Sequence, residues 1–163
     1  MLRRMARVFC GAIGWNTRAM EQKIVSPAKS DLRAIATQLM HASELVSEAS
    51  GHELTGTRTD LAALQKVIDS KLVEPEATYS LQALGLAFGK VFISTRTDFD
   101  WWMVEDEYGR DPALRYKQTS LLLFPKTMIP KRIEDGKAVN VTEMFEGLQE
   151  TVREVLAEHY SDA

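Results

Sequence analysis

A chain of 163 residues, 45% hydrophobic and 26% charged, has the length and balance of one soluble globular domain, large enough to bury roughly 70% of its unfolded surface without disulfides or a structural metal. Its single cysteine, Cys10, excludes an internal disulfide framework and a thiolate metal cluster, and suits a reducing cytoplasm. The net charge of −3 divides into +5 for residues 1–30 and −8 for residues 31–163, and an acidic body repels phosphate backbones, which argues against nucleic acid as a partner of the folded domain.

Residues 1–29 read as a poorly structured basic leader, with Arg3, Arg4, Arg7, Arg18, Lys23 and Lys29 in the first thirty residues against one acid, Glu21. The run "VFCGAIGW" has the outline of a signal peptide, but it is short and no small-residue cleavage site follows. It is also too short to span a bilayer. An early start codon, with Met5 or Met20 as the true beginning, is the simplest reading; a mitochondrial presequence is the alternative.

Residues 30–163 read as a single α+β domain. "SPAKSDLRAIATQLMHASELVSEASG" predicts a first helix, with Ser30 as N-cap, Asp31 in the first turn and Gly51 as the stop. Leu32, Ile35, Ala36, Leu39, Ser43 and Val46 follow the spacing of one buried stripe, and His41 falls off it, into solvent. After a "GHELTGT" loop, Thr57 and Asp60 have capping-box spacing for a second helix, whose apolar face is Leu61, Leu64, Ile68 and Leu72. "EPEATYSLQALGLAFGKVFIS" predicts a third, with Pro75 in its first turn. Its apolar residues spread most of the way round, as in a central helix. Gly85 and Gly89 inside it are expected where another backbone comes close, and they form no phosphate loop because they do not precede the helix.

"DWWMVEDEYG" alternates with the two-residue period of a strand, putting Trp102 and Val104 on one face and Trp101 and Met103 on the other. Gly109 to Pro112 is expected to turn, and "PALRYK" and "SLLLFP" complete an antiparallel sheet of about three strands. "KTMIPKRIEDGKAV" reads as a connection with one short helical turn. The last helix, "NVTEMFEGLQETVREVLAEHY", has Asn140 and Glu143 at capping-box spacing, a stripe of Phe145, Leu148, Val152, Val155 and Leu156, and His159 in its final turn.

"LQALGLAFGKVF", "WWMVEDEYGRDPALRY", "LLLFP" and "IPKRIEDGK", in that order and spacing, resemble a bacterial family designated domain of unknown function 3806, over about residues 79 to 155. The resemblance implies a bacterial origin and a compact α+β domain. It implies no mechanism, because the family has no assigned activity.

Glu105, Asp106, Glu107 and Asp111 place four carboxylates in seven residues. On an extended strand Glu105 and Glu107 face away from Asp106, so they cannot converge on one ion or water. No calcium-loop pattern is present. His41, His52 and His159 lie in no zinc or nucleophile motif, so neither metal nor cofactor is expected. Asp106 beside Tyr108 and Gly109 is the kind of acid that satisfies turn amides, braced by Lys131 and Arg132. Arg132 with Arg115 would alternatively grip an anion. Of Trp101 and Trp102, one should be buried, and an exposed indole beside acids would anchor a partner. The candidate binding residues are therefore Trp101, Trp102, Asp106, Tyr108, Arg115, Lys131 and Arg132. They suit a cytoplasmic, non-catalytic protein-binding module with a basic protein partner. The rivals are a hydrolase with Asp106 or Glu107 as base and Arg132 as anion clamp, and a structural subunit that oligomerises through helix 142–160.

Overall fold

The computed structural model describes residues 22–161; the first part of the basic leader, residues 1–21, lies outside them. In chain order the elements are β1 (Lys23–Val25), α1 (Lys29–Ser50), α2 (Asp60–Asp69), α3 (Thr78–Thr95), β2 (Phe99–Asp106), β3 (Gly109–Tyr116), β4 (Leu122–Leu123), α4 (Pro125–Glu134) and α5 (Val141–His159). This is an α+β architecture. The sheet is antiparallel in the order β1-β2-β3-β4, so it has four strands among the described residues where three were expected. The extra one, β1, lies inside the segment 1–29. Ile24 faces Val104 in its register with β2, a pairing far apart in sequence and invisible to local patterning.

Helix α3 is the centre of the molecule. Leu81, Leu84, Leu86, Ala87, Phe88, Val91 and Phe92 are all buried, so its apolar character on most faces has the consequence the sequence suggested. Pro75 precedes this helix and is not in its first turn. Phe88 and Phe92 meet Phe145 of α5 edge-on, and Phe92 meets Phe99 of β2 in the same way. The apolar stripe of α5 (Phe145, Leu148, Val152) is consumed by this core, and Asn140 caps that helix by accepting from the Glu143 amide at 3.1 Å.

The glycines of α3 are where α4 lies against it. A Cβ built on Gly85 would sit 2.4 Å from the Pro125 carbonyl oxygen and 2.9 Å from that of Lys126. One on Gly89 would sit 2.6 Å from Pro125 Cγ and 3.2 Å from Trp101 Cη2. The close backbone approach inferred from the sequence is therefore supplied by α4, a ten-residue helix where only a single turn was expected. Pro125 opens it at a position where the missing N–H costs nothing. Pro130, inside the helix, has no N–H for the Lys126 carbonyl four residues back. That freed carbonyl is one of the two pointing at Gly85.

Several terminal details differ from expectation. The N-cap of α1 is Ala28, not Ser30, and its amide donates to Asp31 Oδ2 at 2.7 Å, the reach-back half of a capping box. Gly51 closes the helix in the left-handed conformation, as expected. Asp60 forms no box with Thr57; α2 starts at Asp60 itself, after Thr59. Gly109–Pro112 is strand rather than turn, because the chain reverses two residues earlier, at Glu107 and Tyr108. His41 is not simply solvated: its Nε2 lies 2.8 Å from Ser80 Oγ, which ties α1 to α3.

Asp31 also joins α1 to the sheet. Arg110 donates from Nε and Nη2 to its two carboxylate oxygens at 3.0 and 2.6 Å, and from Nη1 to Glu105. The Arg110 hydrogen bonds, followed by the Ala28 amide, hold the Asp31 carboxyl below the usual carboxylate range; Arg96 does the same for Asp98. Depressed carboxyls contribute stability that is fully present above the unfolded value, about 3.9, and is lost as pH falls through the lower folded values. The melting temperature should therefore fall below about pH 4, and Arg110→Gln should flatten that acid-side slope relative to the parent when both are followed thermally from pH 7 to low pH.

Candidate functional site

The strand register settles how the β2–β3 hairpin distributes its side chains. Asp100, Trp102, Val104 and Asp106 face the same way as their partners Arg115, Ala113, Asp111 and Gly109. Trp101, paired with Leu114, turns the other way and packs against the main core beside Gly89. The two indoles thus part as expected, yet both end half-buried rather than one in and one out. On the outer face Val104, Ala113 and Leu122 form a small second cluster, with Ile24 and Phe124 packed against it.

Arg115 lies over the Trp102 ring, 4.4 Å from its centroid. Its Nε and Nη2 donate to the carbonyls of Thr119 and Gln118 at 2.7 and 2.9 Å. A guanidinium committed to two backbone oxygens and one indole is fastened in place, which leaves it poorly disposed to share an anion with Arg132. Lys131 and Arg132 occupy the last turn of α4, where positive charge complements the helix dipole.

The acidic run is partitioned rather than pooled. Glu105 pairs with Arg110, and Asp111 with Lys126 Nζ at 2.7 Å. Asp106 Oδ1 accepts the Tyr108 amide at 2.9 Å, the turn-satisfying role inferred for it. Among the described residues no three His, Cys, Asp or Glu side chains are grouped as a metal site would need. Tyr108, at the tip, is 81% exposed. Its hydroxyl is held by Glu107, which raises its pKa.

A second polar constellation escaped the sequence reading. Asp60 is the buried charged residue of the described core, at 1% exposure. Its carboxylate takes the Thr55 amide on both oxygens (3.1 Å each), the Gly56 amide at 2.6 Å, the Thr55 hydroxyl at 3.0 Å and His52 Nε2 at 3.2 Å. The loop between α1 and α2 is thereby folded around one side chain. Gly56 belongs to that fold, with φ of +76° and the aliphatic stem of Lys90 lying directly over its α-carbon. The available signal was the run "GHELTGTRTD": a Thr- and Gly-rich loop that ends in an acid at the start of a helix. Taking Asp60 for a cap hid it.

A family model described as a domain of unknown function (DUF3806) matches residues 60–145, just over half of the chain. The chain belongs to the DUF3806 family. The matched span starts at Asp60 and runs through α2, α3, the hairpin and α4 to Phe145, so it begins earlier and ends sooner than the resemblance over 79–155. A crystal structure from Bacteroides thetaiotaomicron VPI-5482 shares the fold of this DUF3806 chain, with a TM-score of 0.73 at 18% identity. The alignment covers 80% of this chain and 48% of that one, so this chain spans about half the length of its structural neighbour. No curated protein matches. No helix of the described residues is long and apolar enough to cross a membrane.

Proposed function

We propose that this DUF3806 domain is a non-catalytic protein-binding module that receives a basic segment of a partner on the tip and outer face of its β2–β3 hairpin. The observation that carries the reading is Tyr108, an aromatic side chain 81% exposed on a turn that Asp106 holds in shape. A large ring displayed on a rigid reversal loses little entropy when it enters a partner's pocket, as binding anchors require. Glu107 and Asp100, both exposed, surround the route from Tyr108 to the Trp102–Arg115 stack with negative charge, and the −8 of residues 31–163 steers a cationic partner toward it.

The partition of the acids favours binding over hydrolysis, since Asp106 is engaged by the turn and a general base needs an open path to the proton it takes. The test uses an array of Lys- and Arg-containing peptides against the full chain and the double variant Glu107→Lys, Tyr108→Ala. Binding by the parent that weakens at least about tenfold in the variant, with an unchanged melting temperature, is the expected result. Indifference of every bound peptide to the variant would sink the reading. So would turnover of a phosphate or ester panel that Asp106→Asn abolishes.

A further inference from the structure

Helix α1 carries more apolar surface than it buries. Leu32 is 48% and Met40 66% exposed, and Ala36, on the predicted stripe, is exposed as well. Part of this surplus lines a cavity of about 270 Å³ between α1, α3 and the loop that Asp60 organises. Leu39 and Met40 form one wall, Ala87 the opposite one and Leu54 the loop side, with Ser43, Asp60 and Lys90 as polar lining.

The polar groups are not equivalent. Both oxygens of Asp60 are occupied by hydrogen bonds from the loop, and 1% exposure leaves nothing for a ligand to reach. Lys90 is exposed and makes no hydrogen bond or ion pair with the described residues. Its stem is laid across Gly56, with Cγ and Cε 3.5 and 3.1 Å from where a Cβ would stand, so the side chain lies along the rim of the cavity. A side chain at position 56 would displace that stem and strain a backbone at φ +76°. The site therefore has apolar walls, a floor made rigid by the Asp60 hydrogen bonds, and an ammonium free to meet a charge.

We infer that this cavity is a binding site for a small amphipathic monocarboxylate, with its apolar body between α1 and α3 and its carboxylate on Lys90 Nζ. The volume sets the size. At the roughly 30 Å³ that a water occupies in the liquid, the cavity holds about nine non-hydrogen atoms, the size of benzoate or hexanoate. Met40, unbranched and polarizable, adapts to either shape. The site is separate from the hairpin tip, and neither reading depends on the other.

The probes are benzoate and hexanoate, with benzamide and hexylamine as the uncharged and cationic counterparts. Titration of the full chain is followed through the methionine methyl resonances, with Met40 assigned by Met40→Leu. Saturable movement of the Met40 methyl by either carboxylate is expected. Binding about tenfold weaker in Lys90→Gln, and for the amide, should accompany it. Lys90 is exposed, so Lys90→Gln should fold and melt as the parent does. Absence of any Met40 response to both carboxylates overturns the inference, as does equal binding of amide, amine and acid, or an affinity that Lys90→Gln leaves unchanged.

Discussion

Gly85→Ala should be among the most damaging single-atom additions this protein can suffer. The new Cβ would lie 2.4 Å from the Pro125 carbonyl oxygen and 2.9 Å from that of Lys126. Both obstacles are backbone, so no rotamer change relieves them; α4 must move away from α3 as a body. Overpacking of this kind costs on the order of 3 kcal/mol, which corresponds to a fall in melting temperature of roughly 6 to 12 °C for a chain of this length. Helix propensity favours alanine over glycine by about 1 kcal/mol and is outweighed. Gly147→Ala is the internal comparison. That glycine lies inside α5 with nothing within 4 Å of its virtual Cβ, so the propensity term acts alone and stability should rise by up to about 1 kcal/mol. Thermal melts of the two variants must move in opposite directions. A Gly85→Ala protein that melts with the parent would refute the close packing of α3 on α4.

Removal of the Asp60 carboxylate is the second large effect. Asp60→Ala strands the Thr55 and Gly56 amides, the Thr55 hydroxyl and the His52 ring nitrogen at once. Unsatisfied donors cost about 1 to 3 kcal/mol each when water cannot replace the partner. The adjoining cavity admits some water, so a total near 3 kcal/mol is expected. Asp60→Asn should recover little of it. Each carboxylate oxygen accepts at least two of these bonds, including one from the Thr55 amide, so either orientation of the new amide turns an N–H toward a donor. Hydrogen exchange gives the local signature: the Thr55 and Gly56 amides should lose protection in Asp60→Ala before the α3 amides do. His52→Ala, which deletes a single part-buried contact at 3.2 Å, should cost far less. Equal losses for Asp60→Ala and His52→Ala would show that the carboxylate does not organise the loop.

The two variants separate what could be read along the chain from what could not. The need for glycine at positions 85 and 89 was visible, because two glycines inside an otherwise strong apolar helix contradict local propensity and require an outside cause. The identity of that cause was not. It is α4, and its sequence, with two prolines and three basic residues, has no period that signals a ten-residue helix. Contacts with α3 hold it in place, and packing overrides propensity there.

The hairpin shows the same division. Opposite facing of Trp101 and Trp102 follows from the two-residue period of any strand, and the Asp106 turn role from the chemistry of a short acid beside a reversal. Partners drawn from elsewhere were beyond the sequence. Glu105 and Asp111 pair with Arg110 and Lys126, and Lys131 and Arg132 end α4.

Taken alone, the sequence determined the helix-sheet-helix order, the central place of α3 and the separation of the two indoles, because each depends on periodicity or local backbone chemistry. Only the tertiary structure decided that β1 joins the sheet, that Asp60 gathers a loop around itself, and that α1 leaves part of its apolar stripe open beside Lys90. Those outcomes depend on which distant segments meet, and a one-dimensional pattern carries no record of distance in space.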